Sequence, residues 1–461
     1  MRYREESDFL GKVRVPHDAY YGSFTQRAIE NFPVSGHRLQ ADFIRAYATI
    51  KKAAAAANLK AGALDQRLAK AISSACDQVI SGKMDSQFMV DVYQAGAGTA
   101  TNMNLNEVIA NLAEESLGGK KGHYKRVHPN DHVNMSQSTN DTFHTAMHVS
   151  AYIATKGKLI PALEKLHASL ERKSSEFARV IKLGRTHLQD AVPMSLGQEF
   201  SGYAYAIDVC IDRLQVAMRE IEYLPIGGTA IGTGINAAKG YRDLVIGEIN
   251  SITKQKFKLS NNIFFEMQDQ ASEAFVSSAL HNAAMTIGRI SNDLRLLSSG
   301  PRGGIGELTL PEVEPGSSIM PGKVNPSILE MVNMVCFTVA GNDATISAAA
   351  SAGQLELNVF MPVVAYKLLG SINILANAAS IMDSKCVRGI KANEKPIAER
   401  LKNDLSLATA LSPYIGYEKA AHVARKAYRE GKSVEQVCLE MKLFKKEELS
   451  RILDSKRLAG L

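Results

Sequence analysis

No proline interrupts the chain between Met194 and Pro225, and the apolar residues of that stretch fall on one stripe. Phe200, Ala204, Ile207, Ile211, Leu214, Met218 and Ile221 step by alternating four and three, the spacing of a coiled-coil-like seam. At 1.5 Å per residue such a helix would run about 40 Å. A stripe of that length can be buried only against other long helices. The sequence supplies them. Leu159, Leu163, Leu166 and Leu170 share one face, and further candidates span residues 271–297 and 356–379. The stretch 328–352 is apolar nearly all round, through Met331, Val332, Val335, Phe337, Val339 and Ile346. A helix without a polar face is expected inside a bundle or an oligomer. The expected fold is therefore all-α, with a central long-helix bundle.

The chain has 461 residues, which suits more than one domain. We divide it into an N-terminal helical domain (1–136), a central helix-bundle domain (137–390) and a small C-terminal helical domain (391–461). The last has a different texture, with short Lys/Glu-rich helices and turns at Ser412-Pro413 and Gly416. The net charge of +7 is spread thinly, and no basic face with interleaved aromatics marks a nucleic-acid surface. A modest positive field suits a small dianionic substrate. The five cysteines, at 76, 210, 336, 386 and 438, never approach metal-ligand spacing, which fits a reducing compartment. The N-terminus opens without an apolar signal core, and the apolar stretches read as broken before a membrane-spanning length. The expectation is a soluble, cytoplasmic chain with no membrane partner.

Four segments depart from helical texture and mix small, hydroxyl and amide residues. They are QAGAGTATNMN (94–104), HPNDHVNMSQSTND (128–141), GRTHLQD (184–190) and GSSIMPGKVNP (316–326). In the last, Asn325 reads as a helix N-cap and Pro326 as the first helical residue. A phosphate-binding loop is excluded, because Lys323 is followed by Val324 and the glycine spacing is wrong. No Gly-rich strand-to-helix unit supports a nucleotide fold.

GSSIMPGKVNP resembles the signature loop of the fumarase/aspartase superfamily. Other stretches resemble the same family in the same order: DAYYG (18–22), AIENFP (28–33), TNMNLNEVIAN (101–111), the HPND and STND segment, and GRTHLQD with GQEF (197–200). GGTAIGTG (227–234), NDLRLLSSGP (292–301) and GQLELNV (353–359) complete a match that runs essentially end to end. The resemblance implies a lyase that makes or breaks a carbon–heteroatom bond beside a carboxylate. It further implies a homotetramer whose active sites each draw on three chains.

Taking a proton from a carbon beside a carboxylate creates a dianionic enediolate, so such a site must present donors where charge develops. The resemblance makes Ser317 the base. Its hydroxyl is far too weakly acidic unless loop amides and Lys323 stabilise the oxyanion. Lys323, Asn325 and Thr186 match residues that hold one substrate carboxylate, while Thr99, Ser138, Thr139 and Ser318 would surround the other. Asn140 and His187 match positions near the departing group, and Glu330 matches a glutamate that pairs with that histidine. No cofactor and no metal are expected, since no second histidine or cysteine stands at helical spacing from His187. The segment Arg126, His128, Asn130 and Asp131 resembles a second anion site, or serves as a turn fixing the chain before Ser138.

Two branches of the family compete. Ala97 stands where fumarases usually carry a water-holding serine, and Thr139 replaces a second serine; both features resemble the aspartase branch, which releases ammonia. The stretches 265–268 and 359–362 lean the same way. His128-Pro129-Asn130-Asp131 and Gly227-Gly228 lean toward fumarase. One departure stands out: His144 occupies a position that is usually proline, which predicts a looser first turn for the following helix. A catalytically silent relative would have lost Ser317, Lys323 or His187, and all three are present.

Overall fold

A computed structural model describes residues 2–461. In chain order the elements are β1 (Tyr3–Asp8), β2 (Gly11–Pro16), α1 (Ser23–Asn31), α2 (Ala41–Lys60), α3 (Gln66–Ile80), α4 (Thr99–Ser116) and α5 (Thr139–Ala154). There follow α6 (Ile160–Glu176), β3 (Ile181–Thr186), β4 (Gln189–Ser195), α7 (Leu196–Met218), β5 (Tyr223–Leu224), α8 (Tyr241–Thr253), β6 (Lys258–Leu259) and α9 (Ile263–Gln268). The long helices α10 (Ala271–Leu297), α11 (Ser327–Ser351) and α12 (Met361–Lys385) flank β7 (Leu308–Thr309). After β8 (Lys391–Ala392) come six shorter helices: α13 (Glu394–Lys402), α14 (Ser412–Ile415), α15 (Tyr417–Glu430), α16 (Val434–Glu440), α17 (Lys446–Ile452) and α18 (Ser455–Leu458).

The expected helical class is the observed one, and the strands are minor. They pair two by two, as β1–β2, β3–β4, β5–β6 and β7–β8, and among the described residues build no larger sheet. The predicted seam of α7 is inside: Phe200, Ala204, Ile207, Ile211, Leu214, Met218 and Ile221 are all buried, the last of them in a tight turn beyond the helix. Leu159, Leu163, Leu166 and Leu170 are buried as well. The helix α10 spans the predicted residues. By contrast α12 starts at Met361, five residues later than expected, and runs on to Lys385. Pro362 explains the start, because proline tolerates only the first turn and disfavours helical geometry in the residue before it.

The membrane expectation needs one correction. By length and composition a helical stretch, Met361–Gly389, could cross a membrane, although 56% of its apolar window is buried inside the fold. Leu368, Leu369, Ile372, Leu375 and Ala379 are fully enclosed, so its hydropathy is that of a core helix.

The chain forms two compact units. The first comprises the residues through Ile160, with Asp212–Ala284 and Phe337–Ala376. In it α2 packs against α3, α5 and α8, and α4 against α1 and α3. The second comprises Pro161–Ile211, Met285–Cys336 and Asn377–Leu461. There α13 lies against β3 and α18 against β4, while Leu411, Val423, Val437 and Leu449 centre a hydrophobic cluster shared by the C-terminal helices. All five cysteines are buried.

Candidate active site

In the first unit, the candidate hydroxyl and amide donors sit at two helix starts. Thr99 opens α4, and the chain enters through Gly98 at φ 81°, where an added Cβ would stand 2.2 Å from the Phe143 ring. Ser138 caps α5, and Thr139 and Asn140 form its first turn. The cap is reciprocal: Ser138 Oγ accepts from Asn140 N, and Asp141 Oδ1 accepts from Ser138 N at 2.9 Å. The looser first turn predicted from His144 is absent, because this box and the Thr142 hydroxyl, which donates to the Ser138 carbonyl at 2.6 Å, hold the turn closed.

Asp141 does more than cap its own helix. Its other oxygen accepts from Gly227 N and Thr229 N, each at 3.0 Å, so one buried carboxylate ties the α5 start to the GGTAIG loop. That loop in turn holds Asn140, whose Nδ2 donates to the Ala230 carbonyl at 2.7 Å. A second network joins the two helix starts. Asn102 donates to Thr139 Oγ1 at 3.0 Å and to Asn134 Oδ1 at 3.3 Å, and accepts from the Tyr47 hydroxyl at 2.8 Å. Lys51, fully buried, donates to the same Asn134 oxygen at 2.9 Å. Burial pushes the Lys51 ammonium down to about 7, against the attraction of Asp141. Burial likewise pushes Asp141 up to about 7, opposed by its three backbone donors and by Lys51.

In the second unit, Thr186 and His187 stand on the β3–β4 hairpin. Thr186 pairs with Gln189, so His187 and Leu188 are the two central residues of the turn, with φ of 54° and 58°. A right-twisted hairpin demands positive φ at both places, which glycine or asparagine normally provides. Histidine and leucine there cost on the order of 1–3 kcal/mol each. Charge pins the hairpin: buried Glu307 accepts from Arg185, and Lys182 lies 3.0 Å from Glu307 and 2.8 Å from Glu199. Burial works to raise the Glu307 carboxyl, but Arg185 and Lys182 outweigh it and hold the group below its ordinary value.

Ser317, Ser318, Lys323 and Asn325 share one closed loop, separate in sequence from that hairpin. Gly316 N donates to the Lys323 carbonyl at 2.8 Å, and Asn325 Nδ2 donates to the Gly316 carbonyl. A Cβ on Gly316 would lie 2.6 Å from the Lys323 carbonyl oxygen, so only glycine closes this loop. Asn325 is thus the loop clasp rather than the predicted cap. Pro326 directly precedes α11, and its carbonyl accepts from Leu329 and Glu330. Within the loop, Ser317 Oγ accepts from Met320 N at 2.9 Å and from Ile319 N at 3.2 Å. Two amides therefore point at the oxygen that would have to carry negative charge. Glu330, in the first turn of α11, lies 3.9 Å from Arg295.

The 128–134 segment has a visible structural task. His128 Nδ1 accepts from Asn130 N and Asp131 N, and buried Glu114 accepts from Arg126 N and Val127 N. Among the described residues, the histidine and carboxylate groups close enough to share an ion are His144, His148 and Glu266, none of them a candidate reaction group.

A family model described as "Lyase" matches residues 11–341, and one described as "Fumarase C C-terminus" matches 407–460. An aspartate ammonia-lyase of Helicobacter pylori is 48% identical over 451 residues, 97% of this chain and 96% of that protein. This chain belongs to the fumarase/aspartase superfamily of lyases. A class II fumarate hydratase of Bradyrhizobium diazoefficiens is 47% identical over 455 residues, covering 99% of this lyase and 96% of the relative. Among solved structures, a class II fumarase from Schistosoma mansoni superposes with a TM-score of 0.97 at 39% identity, covering 99% of each chain. A Brucella melitensis fumarate lyase:delta crystallin bound to cobalt gives 0.96 at 45% identity, covering 99% of this lyase and 100% of that chain. Relatives acting on carbon–nitrogen and on carbon–oxygen bonds thus stand at nearly equal distance.

The reading of the sequence passed over the groups that hold the lyase's donors in place. Asp141 carried a legible signal, since an acid three residues after a serine reads as a capping pair. Lys51 carried none; it is one lysine in an alanine-rich helix. Asp141→Asn supplies one acceptor oxygen where the carboxylate supplies two, stranding at least one buried amide of Ser138, Gly227 or Thr229. We expect a loss of about 1–3 kcal/mol in urea denaturation, with faster hydrogen exchange at those three amides. Unchanged exchange at all three would mean that Asp141 does not organise the donor loops.

Proposed function

We propose that this lyase deaminates L-aspartate to fumarate and ammonia, with Ser317 as the base. The observation that carries the reading is the Ser317 loop, where two backbone amides converge on Oγ. They supply the stabilisation that a serine alkoxide needs, with Lys323 of the same loop as the nearby cation. The alkoxide takes a proton from the carbon beside one substrate carboxylate, and the electron pair moves into that carboxylate to give the enediolate. Its collapse forms the carbon–carbon double bond and breaks the carbon–nitrogen bond, the electrons leaving with nitrogen. Lys323, Asn325 and Thr186 hold one carboxylate; Thr99, Ser138, Thr139 and Ser318 receive the other. His187, supported by Glu330, and Asn140 attend the amine.

The choice of amine over water rests on the first unit. Ala97 is buried, presents no hydroxyl and has its amide committed to the Val359 carbonyl. The Thr139 hydroxyl already accepts from Asn102. Asn140 donates its amide to the Ala230 carbonyl, so its oxygen is the atom left to face a ligand. An acceptor suits the substrate ammonium, which brings three N–H donors and no acceptor, better than the single O–H of a malate hydroxyl. The fumarase reading draws support from His128-Pro129-Asn130-Asp131 and from relatives of that name at similar identity.

The same proposal makes the enzyme a cytoplasmic homotetramer with sites shared between chains, its reaction needing no cofactor. Phe337, 70% exposed on an apolar helix, and exposed Phe275 support burial against other copies.

Three results are expected. Ser317→Ala loses about 10²–10⁴-fold in kcat while still binding substrate, and Lys323→Ala loses both binding and turnover; Ser317→Ala retaining a tenth of wild-type turnover excludes the base assignment. Aspartate surpasses malate in kcat/KM when fumarate is followed on one preparation, and Ala97→Ser with Thr139→Ser shifts the ratio toward malate. Malate ahead by about tenfold or more, a gap of about 1.4 kcal/mol, would make the enzyme a fumarase. Finally, inactive Ser317→Ala and inactive His187→Ala regain part of the activity when refolded together, and a stable active monomer in equilibrium sedimentation would rule out shared sites.

A further inference from the structure

Three helices of the first unit bring together a buried group of side chains that the proposed reaction does not use. His144 and His148 lie four apart on α5 and so project from one face. Their rings stand 4.7 Å apart, nearly perpendicular. Glu273, at the start of α10, places Oε1 2.6 Å from His144 Nε2 and 2.8 Å from His148 Nε2. Glu266 of α9 completes the group: one ligand atom each from His144, His148 and Glu266 falls within 4.8 Å of the others. All four residues are buried.

We propose that His144, His148, Glu266 and Glu273 form a site for one divalent first-row transition metal, of the zinc or cobalt(II) type. Three features support it. The His148 Nδ1 lies 2.7 Å from the Tyr223 carbonyl and must carry a proton there, which leaves Nε2 as the ligand. A ligating imidazole almost always has its other ring nitrogen held in this way. Next, Glu273 Oε2 and His144 Nδ1 are buried with no hydrogen-bond partner. A carboxylate oxygen without a partner is costly in the protein interior, and metal coordination would supply one. Last, the charged groups that dominate around the two carboxylates are the two imidazoles, Glu220 and each other, with no lysine or arginine among them. Two buried acids and two imidazoles match a borderline cation in both charge and softness.

A tetrahedral ion with bonds of about 2.0–2.1 Å keeps its ligand atoms roughly 3.3 Å apart. Glu266 would close inward, and Glu273 would draw back slightly from the two rings. Binding releases the Nε2 protons that Glu273 now accepts. The ion would join α5, α9 and α10 one turn beyond Asn140, steadying the helix start that carries Ser138, Thr139 and Asn140. Its role is positional.

The test uses the full-length protein, stripped with chelator and dialysed against Co²⁺ or Zn²⁺. We expect one tightly held ion per chain, a cobalt absorption edge showing two imidazole nitrogens with carboxylate oxygens, and a rise in Tm on metal addition. His144→Gln and Glu266→Gln should each weaken Co²⁺ binding by at least about 10–100-fold, the range already seen when only outer-sphere partners are removed, and abolish the rise in Tm. Wild-type protein that retains neither ion overturns the proposal, and needs no variant to fold. Binding that is unchanged in both variants overturns it too, because the ion would then sit on surface histidines such as His17 or His123.

Discussion

The Asp141 carboxylate is the acceptor on which the first unit's donor loops depend. Three backbone amides from two distant segments converge on it, inside the protein and out of reach of water. Helix starts and glycine-rich loops leave such amides over, and each must find an acceptor or cost free energy comparable to a lost hydrogen bond. With Asp141 in place, the α5 start and the 227–230 segment become one rigid piece, and Asn140 is oriented by its bond to Ala230. The Asn102 network extends the same piece to α4, through the bond that Asn102 donates to Thr139.

The second unit solves the same problem with charge and strain. Glu307, with Arg185 and Lys182, holds a hairpin whose tip places histidine and leucine in backbone conformations they disfavour. A turn of this shape would be more stable with Asn-Gly at its centre. His187 at that strained position is the kind of backbone outlier that clusters at functional sites. The Ser317 loop uses no charge. It closes on Gly316 and Asn325, and its own amides turn inward on the serine oxygen. Both arrangements hold a candidate side chain on a loop that its own hydrogen bonds and ion pairs fix in place.

The buried His144–Glu273–His148 group is a separate matter of charge placed in the core. The imidazoles of His144 and His148 are the largest opposite charges beside its two acids, Glu266 and Glu273. Position 144 is also where the resemblance to the family departs from its usual residue.

How much of this was legible in the sequence follows from the range of each interaction. Helix α10 could be read almost to the residue and α7 to within about a turn of its end, because burial of one face repeats every few positions and is written locally. The late start of α12 was also legible in Pro362, though the apolar run hid it. The signature loops announced the lyase chemistry by residue type and spacing. What stayed hidden was every group acting over long separations: Lys51 with Asn134, Asp141 with Gly227 and Thr229, Glu307 with Lys182, and Glu273 with two histidines. A lysine in an alanine-rich helix or a glutamate at a helix start has no local mark distinguishing a solvated side chain from a buried partner. The sequence by itself determined the helical class, the core faces and the membership of the lyase superfamily, since local periodicity and the signature motifs specify those. Only the tertiary structure decided which amides, acids and cations hold them in place, because those pairings exist only once segments far apart in the chain are packed together and cut off from water.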